Sequence, residues 1–241
     1  MKKIGIIGAM KNEISLLKEK IAGISEKKIA GMTFFSGKIL GKNANVDVVL
    51  VKSGIGKVSA GICTQILCTV FNVDAIINTG IAGAICEDLQ IFDIVLSKDA
   101  MFHDVDVTGF GYPLCQMPGM PLKFTASETL LKIAQENVEP CILNKVNGKC
   151  VNVFLGTIAT GDQFINSNVA KKRIAENTQA KCCEMEGAAI AQGATMNNVP
   201  FLIIRCISDM SNDNGEKTYT FNEDKAAEIC SSFVLQFLYA L

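Results

Sequence analysis

Short apolar runs alternate along the chain with segments whose apolar residues recur every three or four positions. Such alternation is typical of α/β proteins, in which helices cover a sheet. The runs predicted to be strands are Lys3–Met10, Thr33–Ile39, Val46–Lys52, Asp74–Asn78, Asp93–Ser97, Val151–Gly161 and Phe201–Met210. Residues Gly41–Asn45 are predicted to form a turn between the second and third of these strands.

Helical spacing begins after the first strand, where Ile14, Leu17 and Ile21 share one face. The other segments predicted to be helices are Val58–Phe71, Ala126–Val138, Asn168–Glu176, Lys181–Ala194 and Lys225–Leu241. The polar stretch Met210–Asp224 is predicted to be a mobile loop over a site. Because no repeat or linker interrupts the pattern, we expect one α/β domain over residues 1–241.

The composition argues against several kinds of protein. A net charge of −1 argues against a protein that holds nucleic acid by charge alone. No apolar stretch reaches the roughly 18 residues that a membrane span needs. The ten cysteines form no CxxC pair, and the first apolar run stops at Lys11 and Glu13, too early for a signal peptide. We therefore expect reduced cysteines in a cytoplasmic protein, with neither a nucleic acid nor a membrane as partner.

Motifs for metals and cofactors are also missing. His103 is the single histidine, and the cysteine spacing does not suit zinc. The glycines Gly5 and Gly8 do not match the dinucleotide fingerprint, and the turn Ser53–Val58 lacks the spacing of a P-loop because Val51 holds the position of its first glycine. We expect no metal and no cofactor, and we interpret Ser53–Val58 as a tight turn from a strand into a helix.

Two acids, Glu184 and Glu186, flank Met185 at the start of a segment rich in Gly and Ala. Surface acids near a helix start are one interpretation, because the helix dipole favours negative charge there. The small residues that follow favour a buried helix instead, and buried carboxylates need partners. Shortly afterwards, the apolar run Phe201–Met210 carries Arg205, Ser208 and Asp209 towards its end. Ligands of α/β sheets bind at the carboxyl ends of strands, which makes these side chains candidates for a site.

The motifs E-M-E-G-A-A-I-A and R-C-I-S-D resemble the nucleoside phosphorylase superfamily, and within it the 5′-methylthioadenosine/S-adenosylhomocysteine nucleosidases. Further blocks occur in the order of that family over nearly the whole chain. They are I-G-I-I-G-A-M, K-S-G-I-G-K-V, I-N-T-G-I-A-G, H-D-V-D-V-T-G-F-G-Y and T-G-D-Q-F-I. The resemblance implies a three-layer fold, with a central mixed twisted sheet flanked by helices. It also implies hydrolysis of the N-glycosidic bond of 5′-modified adenosines, methylthioadenosine, adenosylhomocysteine and 5′-deoxyadenosine among them, in methionine salvage and adenosylhomocysteine recycling.

Matching positions imply roles for individual residues. Glu13 matches the family's general base, which activates water, and Asp209 is the candidate general acid at N7 of adenine. Ser208 and Arg205 are expected to hold Asp209, and Glu186 is expected to bind the ribose hydroxyls. The remaining residues implied to bind the substrate are Met10, Ile55, Ile81, Phe164, Ile165, Met185 and Phe221. A homodimer is implied, with Val107, Phe110, Tyr112 and Pro118 at its interface, some of which reach the partner's pocket.

Ile81 departs from the family, in which a small polar Ser is usual at this position, and this change predicts a drier wall beside the sugar. Phe164 taken alone fits the core better than a stacking surface, but the resemblance implies that it stacks on adenine. His103 lies in an acidic, aromatic run, which favours a packing role over that of a catalytic base.

Two other functions stay open. The first is a phosphate-dependent nucleoside phosphorylase, which binds phosphate through arginines; this chain has only Arg173 and Arg205. The second is a non-catalytic nucleoside-binding protein, although Glu13 and Asp209 are both present.

Overall fold

Strands and helices alternate along the chain in the computed structural model, which describes residues 3–41, 45–137 and 151–241. The strands within these ranges are β1 (Lys3–Gly8), β2 (Ile21–Ile29), β3 (Met32–Leu40), β4 (Asn45–Lys52), β5 (Ala75–Ala84), β6 (Ile94–Phe102), β7 (Phe124–Thr125), β8 (Val153–Thr160), β9 (Cys182–Glu184) and β10 (Phe201–Asp209). The helices are α1 (Lys11–Glu19), α2 (Lys57–Thr69), α3 (Glu128–Asn137), α4 (Asn168–Thr178), α5 (Gly187–Met196) and α6 (Gly215–Ala240).

The strands form one mixed sheet, as predicted. On one side of β5 lie β1, β4, β3 and β2 in that order, and β1 pairs in parallel with both β4 and β5. On the other side, β10 runs parallel to β5 and antiparallel to β6. The sheet then continues through β8 to β9, which pairs back onto β5. These strands therefore close into a small barrel, whereas the β2 edge of the sheet stays open.

Helices cover both faces of this sheet. A side chain at Gly5 would meet Leu67 of α2, whereas one at Gly8 would meet Ile14 of α1. Because side chains alternate between faces along a strand, positions three apart point to opposite sides. Helix α1 packs on α6, and α2 packs on α5. The three-layer α/β architecture is therefore confirmed.

Strands β5 and β10, whose pairing closes the barrel, are buried at every residue. Both read as nearly continuous apolar runs, which is typical of parallel strands covered on both faces. The exceptions are polar residues such as Asn78, Arg205 and Asp209, whose burial requires partners. No helix among the described residues is long and apolar enough to cross a membrane.

Several predicted boundaries are wrong. Ile21 begins β2 rather than ending the first helix, and β5 continues through the Gly-containing segment that follows Asn78. Glu184 ends a short strand instead of opening a helix. Helix α6 begins at Gly215, so most of the predicted loop Met210–Asp224 is helical; its first turns are polar because their outer face is exposed. Residues 42–44 of the predicted turn and the predicted helix end at Val138 lie outside the described residues.

Candidate active site

A cavity of about 520 Å³ opens where β1, β8, β9 and β10 end. The predicted residues that line it are Met10, Glu13, Ile55, Ile81, Phe164, Ile165, Met185, Glu186, Arg205, Ser208 and Asp209. Other lining residues, including Glu184, Ser211 and Tyr219, were not in the predicted set. The cavity has two ends with different chemistry: the arginine end, made of Glu13, Glu184, Glu186 and Arg205, and the Asp209 end, made of Ser208, Asp209 and Ser211.

Glu13 is held in place by backbone groups. It lies in the first turn of α1, where Oε2 accepts hydrogen bonds from the N–H groups of Ala9 (2.6 Å) and Met10 (2.9 Å). Its Oε1 accepts a third from the N–H of Ile81 at 3.1 Å. Burial raises the pKa of the Glu13 carboxyl, against the opposing effects of the Arg205 charge and the three N–H donors. The carboxylate is therefore fixed in orientation and predisposed to take up a proton.

Arg205 organises the arginine end from the middle of β10. Its Nη2 donates to Glu184 Oε2, to Asn78 Oδ1 (2.7 Å) and to Glu186 Oε2 (3.3 Å). Its Nη1 donates to the carbonyl of Ile81 at 3.1 Å. None of its hydrogen bonds within the described residues reaches Asp209, so the prediction that Arg205 holds Asp209 is wrong. Arg205 precedes Asp209 by four residues on β10, and its side chain contacts Glu184 and Glu186 instead.

Glu184 is saturated with hydrogen bonds, whereas Glu186 is not. Glu184 accepts from Thr160 Oγ1, from Arg205, and from the N–H groups of Glu186 (3.0 Å) and Gly187 (2.7 Å). Glu186 accepts from Arg205 and from the N–H of Gly56 at 2.9 Å. Burial raises the pKa of Glu186 to about 7, although Arg205 opposes this rise. Glu186 therefore keeps acceptor capacity for a ligand, and Glu184 serves to hold Arg205.

Asp209 closes β10 at the other end of the cavity. Ser208 Oγ donates to its Oδ2 at 2.9 Å, as predicted, and the N–H of Ser211 donates to Oδ1 at 2.8 Å. Burial raises the pKa of the Asp209 carboxyl, and the two hydrogen bonds only partly counter it. A buried carboxyl with neutral partners is suited to carry a proton.

Two glycines of β5 let the charged groups approach the strand. A Cβ at Gly80 would collide with Arg205 Nη1 and would lie 2.6 Å from Glu13 Oε1. A Cβ at Gly83 would collide with Ser211 Oγ and would lie 2.8 Å from Asp209 Oδ1. Any larger residue would displace these groups, so glycine at both positions lets the carboxyls and Arg205 lie against β5.

Phe164, Ile165 and Tyr219 line one side of the cavity. We call this side the aromatic wall, after the rings of Phe164 and Tyr219. The rings of Phe164 and Tyr219 meet edge to face, with centroids 5.4 Å apart. Tyr219 Oη lies 3.4 Å from Met10 Sδ, which joins this wall to the turn before α1. Among the described residues, neither the N–H nor the C=O of Ile165 has a hydrogen-bond partner. This side of the cavity is therefore lined by a residue whose backbone donor and acceptor are both without partners.

Phe221 does not join the predicted site. Its side chain is 89% exposed, and it is absent from the cavity lining. Tyr219, one helical half-turn earlier, occupies the wall instead. Sequence alone could not choose between two aromatic residues two positions apart, because the start of α6 decides which of them points inward.

The residues predicted for a dimer interface lie together outside the cavity. Phe110 is 85% exposed, Tyr112 and Pro118 are exposed, and Val107 is half-buried. They follow β6 in the segment that contains the short 3-10 helix Thr108–Phe110. His103, at the start of this segment, is buried, and neither ring nitrogen has a partner among the described residues. Burial lowers the pKa of His103, which favours the neutral ring.

Signals for the overlooked residues were weak. Glu184 stands in the same motif as Glu186, but nothing in the sequence indicates which acid contacts Arg205 more closely. Ser211, Thr160 and Asn78 are common polar residues whose partners come from distant parts of the chain.

Comparisons with known proteins agree with this geometry. A family model described as the phosphorylase superfamily matches residues 3–239. The 5′-methylthioadenosine/S-adenosylhomocysteine nucleosidase of Staphylococcus carnosus is 44% identical, over 99% of this chain and 100% of its own length. A solved nucleosidase of the same name from Colwellia psychrerythraea, in complex with adenine, superimposes with a TM-score of 0.92 at 37% identity and covers 100% of this chain and 96% of its own. That of Streptococcus pneumoniae, with a transition-state inhibitor, gives a TM-score of 0.89 at 38% identity, with 99% of both chains covered. The chain therefore belongs to the phosphorylase superfamily, and within it to the 5′-methylthioadenosine/S-adenosylhomocysteine nucleosidase family.

Proposed function

We propose that the protein hydrolyses the N-glycosidic bond of 5′-methylthioadenosine and S-adenosylhomocysteine, and of 5′-deoxyadenosine, releasing adenine and the 5′-modified ribose. The observation that carries this proposal is the separation of buried carboxyls between the two ends of one cavity. Cleavage needs a proton for the leaving base, tolerance of positive charge on the sugar, and activated water. The site has a buried carboxyl suited to each of these tasks.

The adenine would lie between the aromatic wall and the Asp209 end. Phe164 offers a ring face for stacking, and the unpartnered N–H and C=O of Ile165 suit a base edge that presents one acceptor and one donor. A base with the wrong order of donor and acceptor would leave buried groups unpaired, which costs affinity. Asp209, whose pKa is raised by burial, would donate the proton to N7 as the bond breaks.

The sugar would lie at the arginine end. Glu186 keeps acceptor capacity for two hydroxyl groups, and Met185 beside it supplies an apolar surface. Three carboxylates surround a single arginine there, so the end retains negative charge when they are ionised. Such a charge stabilises the oxocarbenium character that develops at C1′. Glu13, with both oxygens fixed by backbone donors, would orient the water and take its proton.

Phosphate is a poor alternative nucleophile at this site. Both Nη atoms of Arg205 already donate to Glu184, Glu186, Asn78 and Ile81, and only its buried Nε has no partner among the described residues, so no edge of the guanidinium is free to bind an anion through two nitrogens. Arg173 is exposed on α4 and does not line the cavity. An end with excess carboxylate would also repel phosphate. These features favour water, and hence a hydrolase over a phosphorylase.

The assembly and the cellular role extend the same proposal. The exposed aromatic residues Phe110 and Tyr112 lie with Val107 and Pro118 in one segment, which suits a homodimer interface. We expect a cytoplasmic enzyme that serves methionine salvage and adenosylhomocysteine recycling. Light scattering at micromolar concentration should report twice the mass of the chain; a fully active monomer would contradict the dimer.

A direct assay tests the reaction. The purified protein is incubated with 5′-methylthioadenosine, with and without inorganic phosphate, and adenine and the sugar product are quantified. We expect adenine and free 5-methylthioribose at a rate that phosphate does not change. Formation of a ribose 1-phosphate would identify a phosphorylase, and tight binding without adenine release would identify a binding protein.

A further inference from the structure

Beside the cavity, a network of three charged side chains joins the first residue of α2 to the loops that follow β6 and β8. Lys57 Nζ donates to Asp104 Oδ2 at 2.6 Å and lies 3.7 Å from Asp162 Oδ2. The N–H of Lys57 donates to Asp162 Oδ1 at 2.8 Å, and the N–H of Asp162 donates to Asp104 Oδ2 at 3.0 Å. Each member of this network, the Lys57 clamp, therefore holds the other two.

Two members of the clamp, Lys57 and Asp104, are better shielded from water than the exposed ion pair Lys38–Asp47, whereas the side chain of Asp162 is 47% exposed. The side chains of Lys57 and Asp104 are 24% and 13% exposed, whereas those of the pair Lys38–Asp47 are 58% and 47% exposed. Burial opposes ionisation of Asp104, but hydrogen bonds from Lys57 and from the N–H of Asp162 outweigh it and lower the pKa. Loss of one partner from a shielded pair leaves a charge without compensation, whereas exposed pairs contribute little.

Lys57 and Asp162 both lie close in sequence to residues that line the cavity or contact its lining. Gly56 precedes Lys57, and its N–H donates to Glu186 Oε1 at 2.9 Å. Gly56 has a φ of +95°, which glycine adopts readily, and a Cβ at this position would lie 3.0 Å from Asp162 Oδ1. On the other side, Phe164 and Ile165 of the aromatic wall follow Asp162 by two and three residues. Movement of the clamp would therefore displace a donor to Glu186 and the aromatic wall together.

We propose that Lys57 and Asp104 are positioning residues, which hold the Gly56 N–H on Glu186 and the aromatic wall at the separation that a bound nucleoside requires. Neither residue lines the cavity, so both act through Gly56, Phe164 and Ile165. The kinetic consequences rest on the proposed function, whereas the effect on the two loops does not.

The first test compares Lys57→Met and Asp104→Asn with the matched variants Lys38→Met and Asp47→Asn of the exposed pair. We expect kcat/KM for 5′-methylthioadenosine to fall about 100-fold in each clamp variant, because small misplacements at a site are that costly. The double variant should lose no more than the worse single one, because the two residues act as a unit. Additive losses, or equal losses in the exposed pair, would overturn the proposal.

The pH profile separates positioning from a direct effect of charge. The groups that face Glu186 are Arg205 of β10, Glu184 of β9, Glu13 of α1 and the N–H of Gly56. Loss of the Gly56 hydrogen bond makes Glu186 harder to ionise, so both variants should shift the acid limb of kcat/KM to higher pH. A direct charge effect predicts opposite shifts, because Lys57→Met removes a cation and Asp104→Asn removes an anion. A shift to lower pH in Asp104→Asn would therefore refute the clamp.

Hydrogen–deuterium exchange tests the clamp without any reaction. Peptides that cover residues 53–57 and 161–166 should exchange at least tenfold faster in both clamp variants, and not in the exposed-pair variants. If Lys57→Met does not fold, Lys57→Gln removes the charge with less change in polarity and takes its place. Unchanged exchange in the clamp variants overturns the proposal. If the clamp variants exchange faster but the wild-type protein itself releases no adenine, only the proposed function is refuted.

Discussion

The two ends of the cavity bury carboxyl groups in contrasting surroundings. At the arginine end, Arg205 donates to Glu184 and Glu186, and three backbone N–H groups hold Glu13. At the other end, Asp209 accepts from one hydroxyl and one N–H, and no cation among the described residues forms an ion pair with it. The charge of Lys171 acts on Asp209 only from a longer distance.

This difference shows how one cavity can present acids for opposite tasks. Arginine and backbone donors orient the carboxylates at the arginine end, where one positive charge cannot neutralise three negative ones. Burial raises the carboxyl pKa at both ends, but Arg205 opposes this rise at Glu13 and Glu186, whereas mainly neutral donors oppose it at Asp209, which can therefore carry a proton. In the proposed mechanism, the environment of each carboxyl, rather than its identity, therefore separates electrostatic stabilisation from acid catalysis.

The largest effect is expected from Glu13→Gln. The amide keeps the shape of the side chain but cannot take the proton of water, so kcat should fall about 100- to 10,000-fold. Adenine affinity, measured by calorimetry, should stay within a few-fold of wild type. The control is Glu19→Gln on the exposed end of the same helix, which should be fully active. Turnover near that of wild type would remove Glu13 from the mechanism.

Arg205→Met would break the arginine end itself. It leaves Glu184 and Glu186 buried without a counter-charge, so we expect a loss of about 3–5 kcal/mol in the free energy of unfolding. Urea denaturation measures the loss, and Arg173→Met on the exposed face of α4 is the control. A change below about 1 kcal/mol would mean that the two glutamates do not depend on Arg205.

Asp209→Asn tests the other end. The amide can donate a hydrogen bond to N7 but cannot transfer a proton, so kcat/KM should fall about 100-fold or more. A nucleoside with a more acidic leaving base needs less protonation, and the variant should recover part of its rate on such a substrate. Glu13→Gln should recover none. Equal losses on both substrates would reduce Asp209 to a positioning role.

The pH dependence sharpens the contrast between the ends. Because burial raises the pKa of Glu186 to about 7, this group gains a proton as pH falls through that value and loses its negative charge. We therefore expect kcat/KM to decrease about tenfold per pH unit on the acid side of neutrality. In Glu186→Gln, kcat/KM should be lower than in the wild type and should no longer decrease on the acid side of neutrality. If the decrease persists in Glu186→Gln, another group must be responsible for it.

The smallest effect concerns the aromatic wall. Tyr219→Ala removes the edge-to-face contact with Phe164, a contact worth about 0.5–1.5 kcal/mol, so KM should rise about 2- to 13-fold. Phe221→Ala should change KM less than twofold, because that side chain is exposed in this structure. A larger effect from Phe221→Ala would mean that the start of α6 rearranges when substrate binds.

Local pattern determined much of the fold and part of the site. Apolar runs marked seven of the strands because burial on both faces demands such runs. Polar residues at the end of a buried run marked Ser208 and Asp209, since strand ends meet at ligand sites. The order of motifs identified the family and brought in Glu13 and Glu186, which spacing alone would have left as ordinary helix-start acids.

Tertiary structure alone decided which side chains contact one another and how the strands close into a barrel. The Lys-rich strand β2 carries little apolar signal because most of it is exposed at the open edge of the sheet. Arg205 binds Glu184 and Glu186 rather than Asp209, and Tyr219 rather than Phe221 reaches the cavity. Each outcome depends on where distant strands and helices bring a side chain in space. A sequence states which groups are available; the closing of β10 and β9 onto β5 determines which of them meet.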